Sequence, residues 1–262
     1  MFEALYEKLT DADRALYLER IGLADLEPTG DLDTLNRILY AHVQTVPFEN
    51  LDAWAAGLCP SLAVRDLFNK VVLRRRGGWC HELNGLLLAF LDCLGYSVYP
   101  VLARVTAGLD FTAPVGHRAV ICVLEGKKYY CDVGFGDLAF QNAIPFDGTP
   151  STFGFHMEKN GDWYEIWRGG ERPMKIITFP DLAMEPVDYL HANFASAMNP
   201  FEPFRSSLYV SIMKGAQRVL LQGDTLTVQT DGPKTVVAEH LEGDRLTAAL
   251  KEHFGIEYQI LA

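Results

Sequence analysis

Basic charge is in short supply in this chain of 262 residues: 23 Lys and Arg stand against 34 Asp and Glu, a formal net charge of −11. That balance excludes a general nucleic-acid or anionic-membrane surface, which needs a basic footprint. A local basic pocket for an anionic cofactor remains compatible with it. Long apolar runs are missing too. No stretch approaches the ~20 apolar residues of a membrane span. The opening residues Met-Phe-Glu-Ala-Leu-Tyr-Glu-Lys lack a basic segment followed by an apolar one, so no signal peptide is expected. Cysteine is scarce and odd in number. Cys59, Cys80, Cys93, Cys122 and Cys131 form no Cys-x-x-Cys pair, which argues against a disulfide framework or a zinc site and for free thiols in a cytoplasmic protein. Neither Gly-x-x-x-x-Gly-Lys nor Gly-x-Gly-x-x-Gly occurs. His81-Glu82 begins like a metalloprotease helix, but position 85 is Gly rather than His, so no metal is expected. What is present is ordinary for a globular protein, 49% hydrophobic and 22% charged residues. The length suits one large core or two to three fused parts.

Periodicity divides the chain into a helical third, a β-rich middle and a mixed end. Residues 1–95 read as helical. A short helix is expected over 11–22. Asp31 is placed to cap a second, in which Leu35, Ile38, Leu39, His42 and Val43 share one face. His42 on that face reads as a packed core histidine. Residues 47–52 read as a loop carrying Phe48 and two acids. A third helix over 64–72 ends at Gly77-Gly78. The helix beginning near Cys80 is apolar nearly all round and should be the central buried one, with Cys93 as inert packing. From residue 96 the period changes. Strands are expected over 98–105, 117–124, 127–133, 153–157, 163–167 and 174–179, forming a small barrel or strongly curled sheet. Beyond 186 come a helix over 187–197, a stiff loop over 199–204, four short strands and a closing helix over 243–254. The division is therefore 1–95, 96–186 and 187–262, in an α+β fold.

Chemistry gathers around Arg-Arg-Gly-Gly-Trp-Cys-His-Glu-Leu-Asn at 75–84. The Gly-Gly break places Cys80 at a helix start, where unpaired N–H groups and the positive end of the helix dipole favour a thiolate. A cysteine nucleophile needs a base and a group to orient that base. A two-residue turn at Glu125-Gly126 pairs positions that sum to 251, so Asp132 opposes Ala119. His117 then lies on the same face as Asp132, diagonal to it and within side-chain reach. The same parity sends Cys122 and Cys131 to the opposite face, as structural residues. Arg76 is expected to pair with Glu49 or Asp52 and pin the Cys80 loop. Glu82, two residues from the sulfur, is expected to be turned away and hydrogen-bonded, since a free carboxylate there would disfavour the thiolate.

Val-Pro-Phe-Glu-Asn-Leu at 46–51, Arg-Gly-Gly-Trp-Cys-His-Glu-Leu-Asn at 76–84, His117, and Asp-Val-Gly-Phe-Gly at 132–136 resemble the arylamine N-acetyltransferases in order and spacing. A weaker likeness extends through residues 193–204 to the C-terminal strands. The resemblance implies a cysteine-proteinase- or transglutaminase-like core: an N-terminal helical bundle, a central β-barrel and a C-terminal α/β lid. It implies Cys80 as acetyl-accepting nucleophile, His117 as base and Asp132 as orienter, with Phe48, Phe135 and Phe204 lining the acceptor pocket. The implied co-substrate is acetyl-CoA, and the implied acceptor an aromatic amine or hydrazine. No metal, nucleic acid or membrane partner is implied, and a homo-oligomer is left open. The chain departs from the family pattern at His81, where Phe or Tyr is more usual. It departs again at Ala197-Met198 and Glu202, which replace small hydroxyl residues; these positions bear on acceptor preference. The rival readings on the same scaffold are an amide synthase using a polyketide thioester and a cysteine hydrolase or transglutaminase-like enzyme. A catalytically dead binding module is the rival of a different class.

Overall fold

The computed structural model describes residues 2–136, 138–230 and 232–258. Helix α1 (Asp11–Arg20) starts where the Thr10 hydroxyl accepts the Asp13 N–H and the Asp13 carboxylate accepts the Thr10 N–H. Helix α2 (Leu32–Thr45) starts at Asp31, whose carboxylate accepts the Thr34 N–H at 2.8 Å. Such caps satisfy N–H groups that have no intrahelical partner. The expected stripe Leu35, Ile38, Leu39, His42 and Val43 is buried throughout. His42 shares a 2.8 Å hydrogen bond with the buried Tyr17 hydroxyl. Burial first, then the Arg20 charge, push this imidazole down to about 3. It is a neutral core residue, as its place on the stripe suggested.

Helix α5 (Cys80–Cys93) is the axis of the helical part. Leu83, Leu86, Leu87, Phe90 and Leu91 are fully buried and pack with Tyr17, Leu35, Ile38, Val43, Leu67 and Phe68 in one core. Before α5 lie α3 (Leu51–Ala56) and α4 (Val64–Phe68), which runs into a π-helical turn, Asn69–Leu73. The segment expected as a loop at 47–52 is strand β1 (Phe48–Glu49) followed by α3. Its strand partner lies in the last third of the chain, and two residues are too few to show a period of two.

The middle of the chain forms an antiparallel sheet of seven strands. They are β2 (Ser97–Val105), β3 (His117–Leu124), β4 (Lys127–Cys131), β5 (Ile144–Pro145), β6 (Phe155–Asn160), β7 (Trp163–Arg168) and β8 (Met174–Pro180). The order is β5-β4-β3-β2-β8-β7-β6, and the outer strands β5 and β6 approach one another, so the sheet curls into a nearly closed barrel. The β3–β4 register pairs residues summing to 251, from Leu124 opposite Lys127 to Val120 opposite Cys131. Glu125 and Gly126 sit at φ 50° and 77°, the left-handed pair a tight hairpin turn requires. Alternation then divides β3. Ala119 and Ile121 face the barrel interior with Tyr130, while Val120, Cys122 and Cys131 face the α5 core.

The C-terminal part holds α6 (Tyr189–Met198), the short α7 (Pro203–Ser206), strands β9 (Tyr209–Lys214), β10 (Gln217–Gln222), β11 (Thr225–Gln229) and β12 (Thr235–Ala238), and α8 (Gly243–Phe254). β1 joins this sheet at the edge beside β9, giving the order β1-β9-β10-β11-β12. α8 covers it, burying Leu246, Ala249, Leu250 and Phe254 on Val210, Ile212, Val219 and Leu221. The architecture is thus mixed α+β, with a barrel-like sheet and helices at both ends. Among the described residues, no helix is long and apolar enough to cross a membrane. The packing of α5 predicts that Leu86→Ala lowers the unfolding free energy by ~2–5 kcal/mol, measured by denaturant titration.

Candidate active site

Cys80 is the first residue of α5 and is partly exposed. His117 opens β3, and Asp132 stands one residue beyond β4. The diagonal relation read from the hairpin brings the two together: His117 Nε2 lies 2.6 Å from Asp132 Oδ2. Both side chains are buried. A buried carboxylate is costly unless donors surround it, and Asp132 has four. Oδ2 also accepts from the Tyr130 hydroxyl at 3.0 Å, and Oδ1 accepts from Asn84 Nδ2 at 2.7 Å and from the Gly134 N–H at 2.9 Å.

Asn84, within the Arg-Gly-Gly-Trp-Cys-His-Glu-Leu-Asn stretch, has a role that the sequence alone does not reveal. It lies one turn on from Cys80 along α5 and is completely buried. Its amide donates to Asp132 and to the Arg118 carbonyl, and its carbonyl accepts the Val133 N–H at 2.9 Å. It therefore ties the cysteine helix to both strands that carry the histidine and the aspartate. An amide on the face of an otherwise apolar helix, four residues from Cys80, was the available signal. Gly134 allows the close approach. A Cβ there would stand 2.7 Å from Cys80 Cα and 3.0 Å from Asn84 Nδ2, so the strand end meets the helix start only because the side chain is missing.

The imidazole of His117 is set by opposing influences. Burial disfavours its charge most strongly, but the Asp132 carboxylate, the Cys80 sulfur and hydrogen bonds to both raise it to about 10. His117 is thus protonated near neutral pH, held between a carboxylate and a sulfur.

Beneath the Cys80 turn lies a group of five charges. Arg76 donates from Nε and Nη2 to Glu49 Oε1, at 3.0 and 2.7 Å, and from Nη2 to Asp52 at 2.9 Å. Lys70 Nζ lies 2.7 Å from both Glu82 Oε1 and Asp52 Oδ2. Arg76 therefore pairs with both acids proposed for it. Glu82 is turned from the sulfur, accepting the Trp79 N–H at 3.1 Å as well as Lys70. Three carboxylates face two cations. Burial raises Glu82 to about 7, Lys70 opposing and the Glu49 charge adding to the rise.

The three phenylalanines fall into two places. Phe48 is buried, with its ring 5.4 Å from that of Phe204 and 5.7 Å from that of Tyr209. Phe135 meets the His117 ring edge-on at 5.5 Å. Gly136 joins them, its backbone lying against the Phe48 ring. Tyr209, at the start of β9, was not singled out by sequence because only the fold brings it to Phe48. The Trp79 indole N–H donates to Asn193 Oδ1 at 3.0 Å, and the Asn193 amide donates to the Pro60 carbonyl at 2.8 Å. These bonds bind the Cys80 turn to α6. Cys122 and Cys131 are buried away from the histidine; burial alone pushes Cys122 up to about 12. Among the described residues, no group of three or more His, Cys, Asp or Glu is placed to hold a metal ion.

Two outcomes follow from the charge group. Removing one partner of a buried pair leaves the other uncompensated, so Lys70→Met costs ~3–5 kcal/mol in a denaturant titration. Glu82 is raised above its unfolded value of 4.5. A raised group contributes stability that is complete below the unfolded value and lost as pH rises through the folded one. Glu82→Gln carries no such loss, so its melting temperature relative to the wild-type chain climbs between pH 4.5 and about pH 7.

A model of the N-acetyltransferase family matches residues 31–261. The arylamine N-acetyltransferase of Mycolicibacterium smegmatis is 32% identical over 261 residues, spanning 94% of this chain and 92% of that protein. The solved structure of M. smegmatis arylamine N-acetyltransferase superposes with a TM-score of 0.85 at 30% identity, over 92% of this chain and 90% of that one. The arylamine N-acetyltransferase of Mycobacterium marinum, solved in complex with CoA, superposes with a TM-score of 0.83 at 26% identity over 92% of each chain. With a family model covering most of its length and relatives matched end to end, this chain belongs to the arylamine N-acetyltransferase family.

Proposed function

We propose that the protein transfers an acetyl group from acetyl-CoA to an arylamine or arylhydrazine through an acetyl-cysteine on Cys80, with His117 as base and Asp132 as its orienter. The observation that carries this reading is the His117 imidazole bound at 2.6 Å to Asp132 on one side and coupled to the Cys80 sulfur on the other. That is the nucleophile, base and orienter arrangement covalent acyl transfer needs.

In the first half-reaction the Cys80 thiolate attacks the thioester carbonyl carbon. The oxyanion forms beside the Cys80 N–H, which precedes the first intrahelical bonds of α5. The carbon–sulfur bond to coenzyme A breaks, and the departing thiolate takes the proton of the His117 imidazolium. In the second half the amine nitrogen attacks the acetyl-cysteine, His117 takes its proton, and Cys80 leaves as thiolate. The ion pair is restored, and each half-reaction balances without a further reactant. Asp132, held by four donors, keeps the ring in one orientation. Phe48, Phe135 and Phe204, with Tyr209 beside them, supply aromatic faces for a flat acceptor. The CoA-bound relative supports a coenzyme A thioester as donor.

Mixing the protein with acetyl-CoA and no amine should add one acetyl group by intact mass, located at Cys80 by peptide mapping. Addition of an arylamine should then remove it. Cys80→Ala should remain folded and show neither event; turnover of arylamine by that variant would sink the assignment. Asn84→Ala and Tyr130→Phe, which remove donors to Asp132, should lower kcat about 10- to 1,000-fold and leave KM for the amine nearly unchanged.

A further inference from the structure

Arg118 is a buried charge that the mechanism does not use. Arg118 follows His117 on β3, and strand alternation sends it to the opposite face, toward α5. It is 3% exposed. Its guanidinium donates from Nη1 to the His81 carbonyl at 3.2 Å in the first turn of α5. It also lies 4.4 Å over the Tyr189 ring, while its Nε has no hydrogen-bond partner. Gly85 makes room for it: a Cβ there would stand 2.6 Å from Nη1. Among the described residues no carboxylate pairs with Arg118, and the guanidinium sits at the positive end of a helix, where a cation is disfavoured. A buried charge in that setting requires a negative one nearby.

His81, next to Cys80, is held neutral, pushed down to about 3 by burial and then by the Arg118 and His117 charges. Burial likewise raises Tyr189 on α6 and Tyr130 on β4, so both stay neutral. Glu82 is engaged by Lys70 and the Trp79 N–H. Asp132 is saturated and balanced by His117. Among the described residues, the other ionisable group whose charge bears on Arg118 is Cys80. Arg118 itself is brought down to about 10 by burial, with Tyr189 and Cys80 acting the other way, so it stays charged at neutral pH.

We propose that Arg118 is a positioning residue for charge: its buried guanidinium balances the Cys80 thiolate from behind the helix start and keeps the active site neutral throughout the acyl-transfer cycle. This rests on Cys80 serving as the thiolate nucleophile. At rest, the thiolate and Asp132 are matched by the imidazolium and Arg118. In the acetylated state, cysteine and imidazole are both neutral, and Asp132 is matched by Arg118. Without Arg118 both states would bury one uncompensated negative charge.

The test reads thiolate reactivity and is independent of acetyl transfer. The alkylation rate of Cys80 by iodoacetamide is followed against pH by peptide-mapped mass spectrometry. Arg118→Met should react about tenfold more slowly than wild type at about pH 6, reach the same plateau at high pH, and be largely rescued by Arg118→Lys. A folded Arg118→Met chain with the wild-type pH profile overturns the proposal. Should Arg118→Met fail to fold, the same substitution in a Cys80→Ala background should fold, because the His117 imidazolium then matches Asp132 with no thiolate left to balance. A double variant that also fails to fold overturns it as well. Acetylation by acetyl-CoA, read separately by intact mass, reports on Cys80 as acyl carrier and so distinguishes failure of the two ideas.

Discussion

Saturation of one buried carboxylate holds the two halves of the site in register. Asp132 collects a ring nitrogen from β3, a hydroxyl from β4, an amide from α5 and a backbone N–H from the loop beyond it. Unsatisfied, that carboxylate would cost several kcal/mol of desolvation or would take up a proton. Satisfied, it fixes the distance between the helix that carries Cys80 and the hairpin that carries His117. Gly134 completes the joint by letting the strand end lie against the Cys80 backbone. Helical core and barrel are thus fastened to each other at the place where the chemistry is proposed.

Charge is managed around that joint in layers. Below the Cys80 turn, Lys70 and Arg76 gather Glu49, Asp52 and Glu82, so the acid nearest the sulfur in sequence is bound elsewhere. Behind the helix start, Arg118 has no acidic partner among the described residues. In front, His117 is protonated by its two neighbours. A net charge of −11 over the whole chain conceals a site in which several of the basic residues are spent internally. The acidic surplus describes the chain as a whole and says nothing about the interior.

Much of this site was legible from residues alone. A Gly-Gly break before a cysteine marks a helix start through local backbone preference. The β3–β4 register follows from a two-residue turn and simple parity, so His117 and Asp132 could be placed on one face before any coordinates. The separation of Cys122 and Cys131 onto the other face has the same origin. The pairing of Arg76 followed from its place directly before the two glycines, and the turning of Glu82 from the cost of a free carboxylate close to a thiol. Asn84, Tyr130 and Arg118 were not assigned. Each acts through a partner from another element, and an amide or a guanidinium carries no local pattern announcing that partner. Tyr209 and the Trp79–Asn193 bond were hidden for the same reason.

The helices, the hairpin and its facing were set by the sequence itself, because caps, turn residues and hydrophobic period act between residues only a few positions apart. The tertiary structure decided what depends on distant pairing. β1 belongs to a sheet whose other strands lie far along the chain, Phe48 pairing with Ser211, the seven strands curl until β5 nears β6, and one helix start is pressed against one strand end. Those are outcomes of burying whole faces against one another, and the free energy that selects them belongs to no single segment.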